Sequence, residues 1–445
     1  MSFGDIRVAD RAEWLINRVA ATGSLVLRKI GETRAGEMAA HRFLSSPYVS
    51  VDRIVETLAQ RTAKQCAGRR VLAVQDTSEV NFAGREEKRR GFGPAGDGKT
   101  LGFFIHPVIA VDIESEAVVG LVDAAIWTRP PEPAKARRGR PLEEKESARW
   151  LAACEMTTAR LSEACSLTMV ADRESDIYEL FVGRPASLDL IVRAAQDRCL
   201  AGGGQLFEAL NGTKALGSRD VRIAPRGPGD KGRTATVELR SAKVCIARPK
   251  NGLVASLPAT IELTLVEARE IDPPSGKTAL LWRLLTTHTV TDAAQADEVV
   301  QLYRLRWRIE QTFRALKSDG LALEDSQVID AERMFVLAAI GLAGAIRTSQ
   351  LVDARDGSPR PASDVIDDAF APALERISQK LEGKTERQKN HHPKGSLAFV
   401  AWIAARLGGW NCYYKPPGPK TMRYGWNQLA AQLEGYALAS QHTNP

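Results

Sequence analysis

Cysteine is sparse in this 445-residue chain. Its six cysteines, Cys66, Cys154, Cys165, Cys199, Cys245 and Cys412, are scattered, and none forms a C-x-x-C pair. That spacing excludes a zinc ribbon or finger, and six in a chain this long make no disulfide framework. Reduced thiols in a reducing compartment are expected. Long hydrophobic runs are also missing. The most apolar stretch, 336–346, is too short to span a bilayer. The start, Met1-Ser2-Phe3-Gly4-Asp5, lacks the basic region and apolar stretch of a signal peptide. No internal repeat or long low-complexity tract is visible. These absences predict a soluble, cytoplasmic protein.

What is present is a globular composition, 44% hydrophobic and 26% charged, with a net charge of +7. The positive excess is moderate and fits a polyanionic partner as well as it fits a basic enzyme. The length predicts two to four domains. Residues 1 to about 65 read as a small helical module carrying Arg11, Arg18, Arg28, Lys29, Arg34 and Arg42. The period then changes. A short buried-strand run at 71–74 leads to Asp76, and 103–111 and 117–126 read as strands joined by a hairpin turn at 112–116. Residues 127–140 are rich in proline and arginine and read as an exposed basic loop. A helix is expected over 143–161. The run at 167–171 is a second buried strand ending on an acid, Asp172, and a helix follows near 177–182. From about 187 to 288 the pattern is strand-like, with a Gly- and Pro-rich loop at 225–232. Helices are expected over 292–318, 330–351, 364–382, 395–407 and 425–440.

The stretch from Tyr303 to Lys317 concentrates the chemistry. Read as one helix, it sets Tyr303, Arg306, Glu310 and Lys317 on one face. Leu302, Leu305, Ile309, Phe313 and Leu316 fall on the opposite, buried face. A carboxylate among a phenol, a guanidinium and an ammonium suits a metal ion beside a phosphate backbone; the plain alternative is a solvated face of ordinary ion pairs. Each strand-end aspartate is likewise, by itself, a common turn former. Two strand-end acids and a third on a later helix resemble the RNase H-like layout, in which the acids meet. Three hard oxygen ligands of this kind suit Mg²⁺ or Mn²⁺. Two such ions would serve in-line phosphoryl transfer, with Arg306, Arg314 and Lys317 supplying positive charge.

With these residues in view, the chain resembles the bacterial DDE transposases of the IS-four type, and among them the Tn-five group. Tyr303, Arg306, Glu310 and Lys317 match the family's Y-x-x-R-x-x-x-E-x-x-x-x-x-x-K signature. Gln75-Asp76-Thr77-Ser78 is similar to its first-acid element, and Asp172-Arg173-Glu174-Ser175-Asp176-Ile177 to its second. Trp127-Thr128-Arg129-Pro130, Glu144-Lys145-Glu146-Ser147 and Ala405-Arg406-Leu407-Gly408-Gly409 match further pieces. Ala40-His41-Arg42-Phe43-Leu44 resembles the family's N-terminal DNA-binding module. The resemblance implies an α/β fold: an RNase H-like catalytic domain over 66–328, with a β-rich insertion at about 187–288. A helical DNA-binding module at 1–65 and a helical dimerisation domain at 329–445 flank it.

The resemblance implies Mg²⁺-dependent cut-and-paste transposition by a homodimer on double-stranded DNA. The steps are nicking at the transposon end, hairpin formation and opening, and joining of the 3′-end to target DNA. Asp76, Asp172 and Glu310 would hold two metal ions. Tyr303, Arg306, Arg314, Lys317, Arg193, Trp282 and Arg42 would contact DNA. Trp282, by itself a core aromatic, would stack on a flipped base. The implied location is the bacterial cytoplasm, on the nucleoid. Two departures from the family pattern stand out. Ala195 occupies a position where a basic residue is common, so that contact is expected to be lost or to move to Arg198. Only Met1 and Ser2 precede Phe3-Gly4-Asp5, where the family has a further helix; shortened relatives act as inhibitors by mixed dimerisation. The alternatives are therefore such an inhibitor, or a metal endonuclease without joining activity. A glycosidase carboxylate pair is disfavoured by the arginines around Glu310.

Overall fold

A computed structural model describes residues 6–84, 89–96, 98–130, 144–223, 232–250, 256–317 and 321–441. The Phe3-Gly4-Asp5 element, the basic loop beyond residue 130 and the loop at 225–231 lie outside the described residues. Four helices open the chain: α1 (Ile6–Thr22), α2 (Leu27–Gly31), α3 (Arg34–Leu44) and α4 (Val51–Cys66). Next come β1 (Arg70–Gln75), β2 (Ser78–Asn81), β3 (Gly93–Pro94), β4 (Leu101–Asp112) and β5 (Ala117–Trp127). They are followed by α5 (Ala148–Arg160), β6 (Ser166–Ala171), α6 (Tyr178–Gly183) and β7 (Asp189–Arg193). The strands β8 (Gly217–Ile223), β9 (Arg233–Ala247), β10 (Thr260–Glu270) and β11 (Leu281–Thr286) form the β-rich stretch. The remaining helices are α7 (Ala293–Arg304), α8 (Trp307–Lys317), α9 (Ala331–Ala354), α10 (Ala371–Leu381), α11 (Leu397–Leu407) and α12 (Pro419–Gln441). The fold is mixed α/β and RNase H-like, in the order the sequence predicts.

Four expectations are corrected. The helix expected over 292–318 is two helices, with residues 305 and 306 in a turn between them. The backbone tightens there: Leu305 N donates to Leu302 O at 3.1 Å and Arg306 N to Tyr303 O at 3.1 Å. Such i→i+3 bonds interrupt the α-helical ladder, so the four signature residues do not lie on one continuous helix. The helix expected from 143 begins as α5 at Ala148, the one expected from 364 as α10 at Ala371, and the one expected from 425 as α12 at Pro419.

The chain divides into two compact units. The helix-rich unit comprises residues 1–67, 77–132 and 308–445. Its centre is α9, which is 24 residues long and apolar enough in length and composition to cross a membrane. That helix extends well beyond the 336–346 run. It is packed by α1, α4, α11, α12 and β5, which makes it the unit's core helix. Asp330 caps its start by accepting from Arg333 N at 3.3 Å. The β4–β5 hairpin forms as expected, with Glu116 at φ 53° in the turn and Ser115 Oγ donating to Asp112 Oδ2 at 2.7 Å.

The sheet-rich unit comprises residues 68–76 and 133–307. Its strands run in the order β1-β6-β7-β11-β10-β9-β8. β6 pairs in parallel with both β1 and β7, and every pairing from β7–β11 onward is antiparallel. β1 (RVLAVQ) and β6 (SLTMVA) are buried at every position after the first. Near-continuous apolar runs are what parallel strands covered on both faces require.

Candidate active site

The register of two strands positions the first pair of acids. β1 and β6 pair in parallel from Arg70↔Ser166 to Val74↔Val170. Asp76 and Asp172 each lie two residues beyond that last pair. Neighbouring strands are about 4.8 Å apart, so the two acids emerge side by side at one end of the sheet. Beyond β6 the chain turns at once. Asp172 caps the short 3₁₀ turn Arg173–Ser175, with Oδ1 accepting from Glu174 N at 2.9 Å. Ser175 Oγ donates to Asp172 O at 2.7 Å.

Cationic and aromatic groups of the same unit meet this pair. Arg306 Nη1 donates to Asp76 Oδ2 at 2.8 Å, and both side chains are less than one-fifth exposed. The break between α7 and α8 is therefore where Arg306 turns to the first acid. Tyr303, expected on an open face, is only 4% exposed. Its ring meets the edge of Trp282, with centroids 5.4 Å apart and planes at 68°. Burial raises the Tyr303 phenol above its usual range, as does Asp172, while Arg306 and Arg193 lower it. Arg193 Nη2 donates to Leu281 O at 3.3 Å. Asp76, Asp172, Arg193, Trp282, Tyr303 and Arg306 thus form one neighbourhood.

The other signature residues belong to the helix-rich unit. Glu310 is half-buried in the first turn of α8, and Arg314, one turn later, is exposed. Lys317 Nζ donates to Glu79 O and lies 3.4 Å from Glu324 Oε1. It is thus held by the protein's own acceptors. The apolar stripe is as expected: Leu302, Leu305, Ile309, Phe313 and Leu316 are all buried. Among the amino-terminal cations, Arg18 donates to Ile30 O at 3.0 Å and pairs with Glu32, and Arg34 pairs with Glu37 at 3.0 Å. Arg42 is exposed on α3.

Arg198 is corrected. It is buried against Asp176, with Nε and Nη2 donating to Oδ1 at 3.1 and 2.7 Å. The second oxygen of Asp176 accepts from Ala195 N at 2.7 Å and Gln196 N at 3.0 Å. Arg198 is therefore a buried counterion, unsuited to a DNA contact. Asp176 is the residue that the sequence reading quoted within a motif but gave no role. It anchors the 195–198 turn that leaves β7. Its signal was the second aspartate of the Asp172-to-Ile177 element.

Asp76 and Asp172 offer hard oxygen donors of the kind a divalent metal takes, beside a guanidinium suited to phosphate. Among the described residues, no group of three or more His, Cys, Asp or Glu side chains is gathered to hold a metal, so the aspartates stand as a pair. Residues 105–345, more than half of the chain, match the family model described as Transposase DDE domain. The matched segment contains Asp172 and Glu310 and begins beyond Asp76. By that match the chain belongs to the DDE transposase family, whose members act on DNA with divalent metals.

Proposed function

We propose that this protein carries out Mg²⁺-dependent cut-and-paste transposition, as in the IS-four type and its Tn-five group. The observation that carries the reading is the pair Asp76 and Asp172 at the ends of adjacent parallel strands, with Arg306 on Asp76. In this reading Glu310 joins them as the third metal-binding carboxylate. Two Mg²⁺ ions, or Mn²⁺ in their place, would supply Lewis-acid charge for activating a water or a 3′-hydroxyl and for the leaving oxygen.

The residues around the acids have separate tasks. Arg306 neutralises an acid in the free protein and turns to a backbone phosphate when DNA and metal arrive. Arg193 and Tyr303 hold the scissile strand, and Trp282 offers a face to a base displaced during hairpin formation. Base–aromatic stacking of that kind contributes about 1–3 kcal/mol. Arg314 and Lys317 extend the cationic side of α8, and Arg42 belongs to a DNA-binding module over 1–65. The catalytic domain spans 66–328, with its β-rich insertion at 187–288. The helices of 329–445 pair two copies on DNA in the bacterial cytoplasm, at the nucleoid.

The test is cleavage of a labelled duplex carrying the inverted repeats that flank this reading frame, with Mg²⁺. The parent protein should give nicks, then hairpins, then joined products. Glu310→Ala should lower nicking by about 10³-fold or more, since each tenfold is about 1.4 kcal/mol of lost transition-state stabilisation. Equal rates for Glu310→Ala and the parent would remove the site assignment. Nicks without joined products would point to an endonuclease, and intact duplex with folded protein to the inhibitor.

A further inference from the structure

The net charge of +7 is concentrated in one stretch. Residues 380–424 hold nine lysines and arginines against two glutamates. Nine taken from 61 and two from 54 leave 52 of each sign, so the other 400 residues balance. The stretch runs from the end of α10 through α11 into the first turns of α12, all within the helix-rich unit.

Two loops carry five of the nine cations of this stretch, and the protein clamps them together. Arg406, near the end of α11, donates to Leu381 O through Nε and Nη2 at 3.3 and 2.9 Å, and to Trp410 O through Nη1 at 2.7 Å. One guanidinium thus holds the start of both loops. Further out, Thr385 Oγ1 and Tyr413 OH share a hydrogen bond of 2.6 Å. His391 Nε2 lies 2.7 Å from Glu386 O within the first loop. Two cations are neutralised locally: Lys389 by Glu382 at 3.5 Å and Lys394 by Glu375 at 2.7 Å. Lys384, Arg387 and Lys415 are exposed and, among the described residues, form no ion pair.

The exposed apolar groups here are all tyrosines: Tyr413, Tyr414, which is 81% exposed, and Tyr424. Lys420 and Arg423 lie 6.0 and 5.2 Å from the Tyr424 ring centroid. Cations interleaved with phenol rings on a pre-ordered surface fit a phosphodiester backbone with sugars and bases alongside. An anionic membrane would instead call for exposed aliphatic side chains beside the cations.

We propose that the paired loops around Lys384, Arg387, Tyr414 and Lys415 form a second DNA-contact face, gripping duplex backbone without reading its sequence. The choice of DNA among polyanions rests on the transposase reading above. The face is made of residues other than Arg42 and those assigned to the cleaved end, and we assign it to DNA beyond the transposon end, target DNA included.

The test uses the full chain and a duplex lacking the inverted repeats, titrated from about 50 to about 300 mM salt. Each neutralised phosphate adds about 0.9 to the slope of log affinity against log salt. Lys384→Ala/Arg387→Ala/Lys415→Ala should make that slope shallower by about 2–3. Lys384→Arg/Arg387→Lys/Lys415→Arg should restore it. If the triple alanine variant does not fold, Lys415→Glu alone should weaken binding of the same duplex. An unchanged slope in a variant with the parent's melting temperature overturns the proposal. So does charge-dependent binding to phosphatidylserine vesicles with none to DNA. Nicking of end DNA separates the two readings. If the parent nicks and the slope is unchanged, only the surface is wrong; if it does not nick but the slope changes, the surface stands and the transposase reading fails.

Discussion

Asp176 has a fully buried side chain, yet its carboxylate is satisfied by two backbone amides and two nitrogens of Arg198. Removing one partner of such a pair leaves the other charge buried and unmatched, at a cost of about 3–5 kcal/mol. Asp176→Leu should therefore lower stability by that order in a denaturant titration. A loss below about 1 kcal/mol would mean that Arg198 finds another acceptor. Arg306 makes an opposite kind of contact, one that must open. Its guanidinium at 2.8 Å competes with any cation for Asp76. Arg306→Gln should tighten binding of Mn²⁺ several-fold by calorimetry while weakening binding of end DNA; unchanged Mn²⁺ affinity would show that the contact does not compete. The thiols give a third check. Burial pushes Cys154 up to about 12, whereas Cys165 and Cys199 are exposed. At pH 8 an alkylating reagent should label the exposed pair within minutes and leave Cys154 unlabelled until the protein unfolds. The strand-end positions of Asp76 and Asp172 were legible in sequence, because buried apolar runs mark the two strands that they follow. The partner of Arg306 was not, since it lies 230 residues away and no local pattern encodes it.

At the scale of elements, burial was readable and polar direction was not. The apolar stripe from Leu302 to Leu316 is buried throughout, because core packing tolerates a shift in helical phase. The polar residues of the same stretch are divided between two helices by the turn at 305–306, where two i→i+3 bonds interrupt the ladder. Nothing in the letters distinguishes a continuous helix from one interrupted for two residues. The α11–α12 contact shows a second element-scale constraint. A Cβ at Gly425 would sit 1.5 Å from Ala404 O, and one at Gly408 would sit 2.1 Å from Thr421 O. The backbones touch, and no rotamer change relieves the clash. Gly425→Ala should destabilise the protein by about 2–3 kcal/mol, with a lower melting temperature. A variant as stable as the parent would mean that these helices separate easily.

At the scale of the whole molecule, composition was read as one number when its distribution mattered more. A net charge of +7 looked moderate, but 45 residues hold all of it. End-DNA binding should accordingly weaken steeply with salt, by about 10³-fold between 50 and 200 mM if six or more phosphates are contacted. An affinity indifferent to salt would contradict a grip on the backbone. The order of elements was legible because each change of hydrophobic period is local, whereas the assignment of residues 77–132 and 308–445 to one compact unit depends on distant packing. The parallel register of β1 and β6 has a further consequence for how this chain can vary. Side chains alternate across a strand every 3.3 Å or so. A one-residue insertion or deletion in either strand would turn its aspartate to the opposite side of the sheet, even with every letter of the motif intact. The two strands act as spatial reading frames: lineages of this protein can exchange Val for Ile or Leu within them, but the count of residues before each acid is part of the message.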